Sequence, residues 1–241
     1  MFFFFKRPKI NVDCFITDEH ILKYSPIEKA NKFIPKWWKK IPSVNNTADH
    51  SEPTIKGCSG IIEQYKRGLI IPMWSDLSII MTDQSYSWKF SDGISNAEVH
   101  SNGLDSFLNP KEYAHLKLIS PWFLNTKEDI FWTCLDPFWN NTNKTNYITV
   151  PGTVSYKYQH ATHINLMMPV NNRHFNIEHG HPVYHLLPLT EKEIQIKHQL
   201  VTEKELNKYK VRNITFFNTY YKRLSIDKNK EKSKCPFHRG N

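Results

Sequence analysis

The chain has 241 residues, a net charge of +9 and an aromatic content of 14%. A β-sandwich or barrel of this length is commonly one domain, and it buries enough surface to need no disulfide framework. No segment approaches the about 20 apolar residues of a membrane span, and in Met1–Arg7 the positive charge follows a short apolar run instead of preceding it. These features argue against a membrane span and a signal peptide, and we expect a soluble intracellular domain.

The N-terminal segment carries signals for one strand and one helix. Met1–Arg7 is expected to form an edge strand that continues into Ile10–Ile16. Ser25 has the features of a helix N-cap, because Pro follows it at the first helical position and Glu28 completes a capping box. Pro35 then ends or kinks this predicted helix.

Two adjacent tryptophans, Trp37 and Trp38, stand among Lys36, Lys39 and Lys40. Paired indole rings beside cations suit a platform on which nucleic-acid bases stack. The same pattern is typical of a short helical turn that covers a sandwich, with Trp in the core and the lysine stems extending outward. We favour the helical turn.

Short predicted strands dominate the middle of the chain. A helix over Ile61–Arg67, closed by Gly68, precedes them, and a capping box over Thr202–Glu205 opens a later helix, with Ile214–Leu224 also expected to be helical. Many short strands separated by Asn, Gly and Pro turns predict a mainly β fold, a closed β-sandwich or jelly roll with short helices at both ends. The predicted strands are Leu69–Trp74, Leu77–Met81, Tyr86–Phe90, His115–Ile119, Ile130–Leu135, Tyr147–Val150, Val154–His160, Ile164–Met168 and Val183–Leu187.

Positive charge is concentrated at the C-terminal end. We predict a single domain over residues 1–221 and a basic tail over residues 222–241. Seven Lys and Arg residues against two acidic residues give this tail a net charge of +5. Such a run is typical of a solvated terminus, and the alternative is electrostatic contact with nucleic acid or an acidic partner.

The four cysteines, Cys14, Cys58, Cys134 and Cys235, include no CxxC pair and no spacing typical of zinc sites. We predict that all four are free thiols in a reducing compartment.

Histidines are the main candidates for chemistry. His179 and His181 would share one face of a strand, where two imidazoles can hold Fe or Zn, and His160 would supply a third ligand if its strand lies alongside. Glu178, the nearest carboxylate, would point to the opposite side. Gly180 favours a turn in which the two rings diverge. We therefore predict that His160, His179 and His181 do not converge.

Other catalytic patterns are weak. His50-Ser51-Glu52 is the one triplet that fits the facial triad of Fe(II) oxygenases, and it stands in a polar loop, which is a poor scaffold for a preorganised site. Asp76, Asp83 and Asp92 lie near strand ends, where turn formation explains them. We find no phosphate loop, dinucleotide fingerprint or nucleophile elbow.

Several segments resemble a family encoded by large tailed phages, the T4-like phages of marine bacteria and cyanobacteria. They run in order through nearly the whole chain and comprise Phe33–Pro42, Thr54–Cys58, Ile70–Leu77, His115–Trp122, Gly180–Val183, Leu187–Glu191 and Lys234–Phe237. The resemblance implies a viral origin, a location in the host cytoplasm or the virion, and a β-sandwich of the double-stranded β-helix (cupin-like) type. It implies no activity or catalytic residues.

Three functional hypotheses follow. The first is a non-catalytic phage protein with a role in host takeover or minor assembly, which binds a protein partner or a small ligand through a jelly-roll face. The second is a cupin-like metal-dependent enzyme, such as an Fe(II) oxygenase. The third is nucleic-acid binding through the basic tail with Trp37 and Trp38.

Overall fold

A computed structural model describes residues 8–47, 49–82, 85–99, 112–141, 147–171 and 174–209, together with 225–226 and 229–230. These residues form a mainly β fold with several sheets and short helices. No helix among them is both long and apolar enough to cross a membrane. The predicted helix over Ile214–Leu224, most of the basic tail and Cys235 lie outside the described residues.

The helices and strands are numbered in chain order. They are β1 (Lys9–Ile16), α1 (Glu19–Tyr24), β2 (Glu28–Lys29), α2 (Lys36–Lys40), β3 (Val44–Asn46), β4 (Ser51–Pro53), α3 (Ser59–Arg67), β5 (Leu69–Pro72), β6 (Leu77–Met81), β7 (Tyr86–Phe90), β8 (Asn96–Val99), β9 (Tyr113–Asn125), β10 (Trp132–Leu135), β11 (Ile148–Thr149), β12 (Gly152–Val154), β13 (Ala161–Pro169), β14 (His174–Ile177), β15 (Pro182–Pro188), β16 (Glu193–Leu200) and α4 (Glu203–Leu206). Short 3-10 helices cover Ala30–Phe33, Ile55–Gly57 and Phe138–Asn140.

The first sheet has the strand order β11-β13-β9-β1-β16, with β8 paired to β9. β1 runs parallel to β16, in register from Lys9 opposite Glu193 to Ile16 opposite Leu200, and antiparallel to β9. The prediction that Ile10–Ile16 lies at a sheet edge is therefore wrong. β1 has a neighbouring strand on each side, β16 along its whole length and β9 at Asp13–Phe15. The sequence did not predict β16 as a strand because most of its residues are polar.

The second sheet has the order β12-β10-β15-β5-β2. A smaller sheet, β14-β6-β7, and the β3–β4 hairpin complete the described strands. The first and second sheets both contribute side chains to one apolar cluster, an arrangement consistent with a β-sandwich. In β9 every second residue is buried, including Leu116, Leu118 and Trp122, because successive side chains point to opposite faces of the sheet. Trp132 of β10 and Tyr156 belong to the same cluster.

Several sequence predictions are confirmed. The bounds of β6 and β7 match the predicted strands, α3 ends at Gly68 as its C-cap, and α4 opens with the predicted capping box at Thr202 and Glu205.

The predicted strand over Val154–His160 is wrong. β12 ends at Val154, and a turn follows in which Ser155 O accepts hydrogen bonds from the N–H groups of residues 158 and 159.

The predicted helix start at Ser25 is also wrong. Ser25 is the C-cap of α1, where its N–H donates to Ile21 O, and the N-cap is Asp18, whose carboxylate accepts from Ile21 N–H. Glu28 enters the short strand β2. Asp, Ser and Thr side chains can cap a helix start, a helix end or a turn. The prediction therefore assigned Ser25 to the start of a helix, whereas it ends α1.

A second, smaller core covers the outer face of the second sheet. It contains Ala30, Trp38, Ile61, Tyr65 and Ile70. The helical-turn interpretation is confirmed for Trp38, whose ring α2 buries in this core. It is wrong for Trp37, whose ring is 44% exposed.

Gly68 lies where this helical layer meets β15. A Cβ atom built on Gly68 would lie 2.1 Å from His185 Nε2 and 2.9 Å from the backbone oxygen of Gln64. The φ of Gly68 is −79°, a value that any residue adopts, so close approach alone requires glycine.

We predict that Gly68→Ala lowers the free energy of unfolding by about 1–3 kcal/mol, the usual range for overpacking. Urea denaturation measures the change. Gly57→Ala is the matched control, because a Cβ atom there meets nothing within 4 Å and should change stability little. Equal stability of the two variants would contradict the packing of His185 against Gly68.

Candidate functional site

The turn that joins β14 to β15 contains two of the predicted metal-site histidines. His181 N–H donates to Glu178 O at 3.1 Å, and Gly180 has a φ of 78°, which glycine adopts at little cost. The predicted turn is confirmed. His179 N–H donates to Asp76 Oδ1 at 2.7 Å, and its Nε2 is hydrogen-bonded to Ser25 Oγ at 2.5 Å.

The third candidate, His160, lies elsewhere in the fold. Its Nδ1 is 3.1 Å from Leu124 O, and its ring packs edge-on against Tyr209. The structure places His160 beside the end of β9, whereas His179 and His181 lie beside the end of β5. Among the described residues, no three His, Cys, Asp or Glu side chains are grouped to hold a metal ion.

The remaining candidates have local structural roles. His50 and Glu52 belong to the exposed β3–β4 hairpin, where the His50 ring is hydrogen-bonded to Thr47. Asp92 accepts hydrogen bonds from two backbone N–H groups of its own turn, as turn formation predicts. Asp83 lies outside the described residues.

We predict that the purified protein contains no stoichiometric iron or zinc, and that replacing His160, His179 and His181 together by Ala leaves the metal content unchanged. The reason is the separation of His160 from the other two rings. Inductively coupled plasma mass spectrometry measures the content after dialysis against 10 µM of each metal, a roughly saturating level for a structural site. Stoichiometric metal that the triple variant loses would restore the metal-enzyme hypothesis.

His185 is the most deeply buried histidine described. It is 3% exposed, its Nε2 has no hydrogen-bond partner among the described residues, and its ring packs beside Tyr65. Burial lowers the pKa of His185 from 6.5 to about 4, because an imidazolium ion would lose its hydration there. The ring is therefore neutral at physiological pH and acts as part of the second core.

We predict that His185 makes the protein less stable as pH falls. Its pKa is lower when folded, so the unfolded chain binds the proton first. The contribution of His185 to the free energy of unfolding is fully present above pH 6.5. It is lost progressively towards pH 4, by about 3 kcal/mol in all. Urea denaturation at pH 7, 6, 5 and 4 measures how the free energy of unfolding changes with pH. The expected slope is roughly 1.36 kcal/mol per pH unit, the value for uptake of one proton.

His185→Leu should remove this component of the slope. The control is His174→Asn, because His174 is exposed on β14 and should leave the slope unchanged. An identical pH dependence in the wild type and His185→Leu would contradict the buried, neutral state of the ring.

A cavity of about 270 Å³ opens between the edges of the two large sheets. One wall is β12, the edge strand of the second sheet, and the other is the first half of β13. Among the described strands, β11 pairs with β13 only at Leu166 and Met167, which leaves this half of β13 at an edge. The register shift between Ala161 and His163 lets residues from both faces of β13 line the space.

Polar side chains from several segments line the cavity. The Tyr156 hydroxyl is hydrogen-bonded to Thr162 Oγ1 at 2.9 Å, and both side chains are buried. The polar groups of the lining come from Lys117, Cys134, Thr153, Tyr156, Gln159, Thr162, His163, Asn165 and Tyr184. This lining is more suitable for a hydrogen-bonding ligand than for an apolar ligand.

Charge in the cavity wall is balanced. The Lys117 ammonium is paired with Glu98, its neighbour across the β8–β9 ladder. Partial burial lowers the pKa of His163, and the Lys117 ammonium lowers it further against the opposing effect of Glu98. His163 is therefore neutral at pH 7 and offers one donor and one acceptor nitrogen.

The two buried cysteines of the described residues do not supply an activated thiol. Cys14, Cys58 and Cys134 are free thiols. Burial raises the pKa of Cys134, in the cavity wall, to about 11, so its thiol stays protonated and weakly nucleophilic at neutral pH. Burial also raises the pKa of the Cys14 thiol. The cavity can therefore orient a ligand by hydrogen bonds, but its thiol is not activated for attack.

Sequence analysis missed this cavity. Lys117, Thr153 and Gln159 carry no motif, and Lys117 lies 36 residues before Thr153 in the chain.

No protein-family model matches the chain, and no curated protein matches it. The case for function therefore depends on the geometry of the described residues.

Proposed function

We propose that the chain is a non-catalytic binding protein whose cavity between β12 and β13 holds a small, uncharged, hydroxyl- or amide-bearing molecule. The observation that carries this proposal is the group of polar side chains around a space of about 270 Å³ at the sandwich edge. Two sheets with a common core support a jelly-roll arrangement as part of the same proposal.

The chemistry of the lining favours a neutral ligand. Glu98 balances Lys117, so the wall offers no surplus charge for an acidic or basic group. The neutral His163 ring, the Thr153 hydroxyl and the Gln159 amide provide both donors and acceptors. A ligand rich in hydroxyl or amide groups would replace the water that these groups otherwise bind.

The resemblance to a phage family adds a biological setting to this proposal. In that setting the protein acts inside an infected host cell, in host takeover or as a minor assembly component, and the ligand is a host or viral metabolite. This part of the proposal depends on the resemblance alone.

The cavity can be tested with a panel of monosaccharides, polyols and small amides. We expect at least one to raise the melting temperature and to shift amide resonances of β12 and β13 in NMR spectra. Thr153→Val and Gln159→Leu should each weaken binding about 5- to 10-fold, because each removes one hydrogen-bonding group worth about 1 kcal/mol.

Gln195→Leu is the matched control, because Gln195 is exposed on β16, away from the cavity. It should bind the ligand like the wild type. Failure of the whole panel, or equal affinity of Gln159→Leu and Gln195→Leu, would contradict the proposal.

A further inference from the structure

Three aromatic rings form a group on the helical layer outside the second sheet, in which two rings are exposed and the third, Trp139, is partly buried against the second core. We call this group, Trp37, Phe138 and Trp139, the aromatic surface. Trp37 is 44% exposed and Phe138 is 68% exposed. The ring centroids of Trp37 and Trp139 are 6.2 Å apart, and those of Phe138 and Trp139 are 5.4 Å apart. Exposed aromatic groups of this kind mark interaction sites more often than scattered single residues do.

The aromatic surface is held firmly although it is exposed. Trp37 Nε1–H donates to Trp139 O at 3.1 Å, which joins α2 to the 3-10 helix at Phe138–Asn140. Asn140 then ties that helix to the second core. Its Nδ2 donates to Phe33 O at 2.6 Å, and its Oδ1 accepts from the Tyr65 hydroxyl at 2.6 Å. Rings that are already positioned lose little conformational entropy when a partner binds.

The rings do not form one flat plane. The Trp37 and Trp139 planes are tilted by 44°, and the Phe138 and Trp139 planes meet at 85°. A flat partner group can therefore stack on one ring at a time, and neighbouring groups of a flexible chain would stack on different rings. A flexible strand with a flat group on each unit fits this geometry better than a rigid duplex.

The segment that carries Trp37 is positively charged. The sequence from residue 29 to residue 48 contains five lysines and no acidic residue. Two of the five, Lys29 and Lys32, have glutamate partners. The other three, Lys36, Lys39 and Lys40, are exposed on α2 beside Trp37, and they form no ion pair with the residues that the structure describes.

A further lysine approaches from outside this segment. Lys56 Nζ donates to Lys39 O at 3.1 Å and to Ile41 O at 2.8 Å, so its ammonium group lies at the C-terminal end of α2. Four ammonium groups therefore lie on or beside the helix that carries Trp37. This charge favours a polyanion over a neutral polysaccharide, which would also stack on tryptophan.

We propose that the aromatic surface binds single-stranded nucleic acid. Bases stack on Trp37, Phe138 and Trp139, and the lysines of α2 contact the phosphates between them. Stacking of this kind tolerates any sequence, because every base has a flat π-face. Asn140 acts as a positioning residue that holds the 3-10 helix in place. This function is separate from that of the cavity, so each proposal can fail alone.

A 12-nucleotide oligo(dT) is the probe, with tryptophan fluorescence and fluorescence anisotropy as the readouts. We expect binding to quench the emission and to weaken as salt rises. Trp37→Ala and Phe138→Ala should each weaken binding roughly 5- to 100-fold, the range for loss of one stacking ring. Trp37→Phe keeps a ring and loses the Nε1–H hydrogen bond to Trp139 O, so it should bind more tightly than Trp37→Ala and thereby separate stacking from folding.

The lysines have their own test. Replacing Lys36, Lys39 and Lys40 by Gln should make the slope of log K against log salt shallower by about 2, at roughly 0.7 per phosphate contact on a single strand. Circular dichroism and melting temperatures of all variants check that the fold is unchanged.

Tyr24→Ala is the matched control, because Tyr24 is also an exposed ring beside a lysine, with Lys23 Nζ 5.1 Å from its centroid. It lies on α1, which packs on β1 and β16. It should bind oligo(dT) like the wild type. Equal affinities of Trp37→Ala and Tyr24→Ala would overturn the proposal and assign any binding to the basic tail.

Three other results would also overturn it. The first is tighter binding to a 12-base-pair duplex than to oligo(dT), and the second is binding to dextran that Trp37→Ala abolishes, with no binding to oligo(dT). A loss of affinity in Trp37→Phe as large as that in Trp37→Ala would also contradict stacking.

Discussion

β1 and β16 pair in parallel over eight residues, and the completeness of the larger sheet depends on that contact. Ile10, Val12 and Ile16 of β1 are fully buried, and buried backbone groups need hydrogen-bond partners. β16 pairs with β1 from Lys9 to Ile16, and β9 pairs with it on the other side from Asp13 to Phe15. At the far end the contact continues, because Val201 N–H donates to Ile16 O just before α4 begins.

The two proposed binding regions arise from different properties of the sheets. The cavity exists because β12 and β13 leave sheet edges close together, and edge backbone with polar side chains around it favours hydrogen bonding. The aromatic surface exists because the second sheet is apolar on both faces. Its outer face needs a helical cover, and α2 provides it by burying Trp38 while the adjacent Trp37 remains exposed.

The sequence predicted the mainly β class and several elements, because local signals determine them. β6 and β7 are bounded by turn residues, and α4 begins with a capping box. β16 was missed because five of its eight side chains are polar, as is usual at a sheet edge. Trp37 was considered as a stacking residue from the sequence, but the cavity and the approach of Phe138 and Trp139 to Trp37 were not predictable, since both depend on distant pairing. Trp37 and Trp139 are 102 residues apart in the chain and become neighbours only through packing of α2 on the second core.

The parallel β1–β16 contact also has a consequence for synthesis on the ribosome. β1 is made early, but its partner strand ends at Leu200, so the contact cannot form until that residue has left the exit tunnel. At about 5–20 residues per second, the apolar face of β1 waits roughly 10 s or longer. Closing so long a loop is also slow, because its entropy is lost before the contact forms. The apolar side chains of β1 therefore remain without this partner strand for most of the time that the chain is being made.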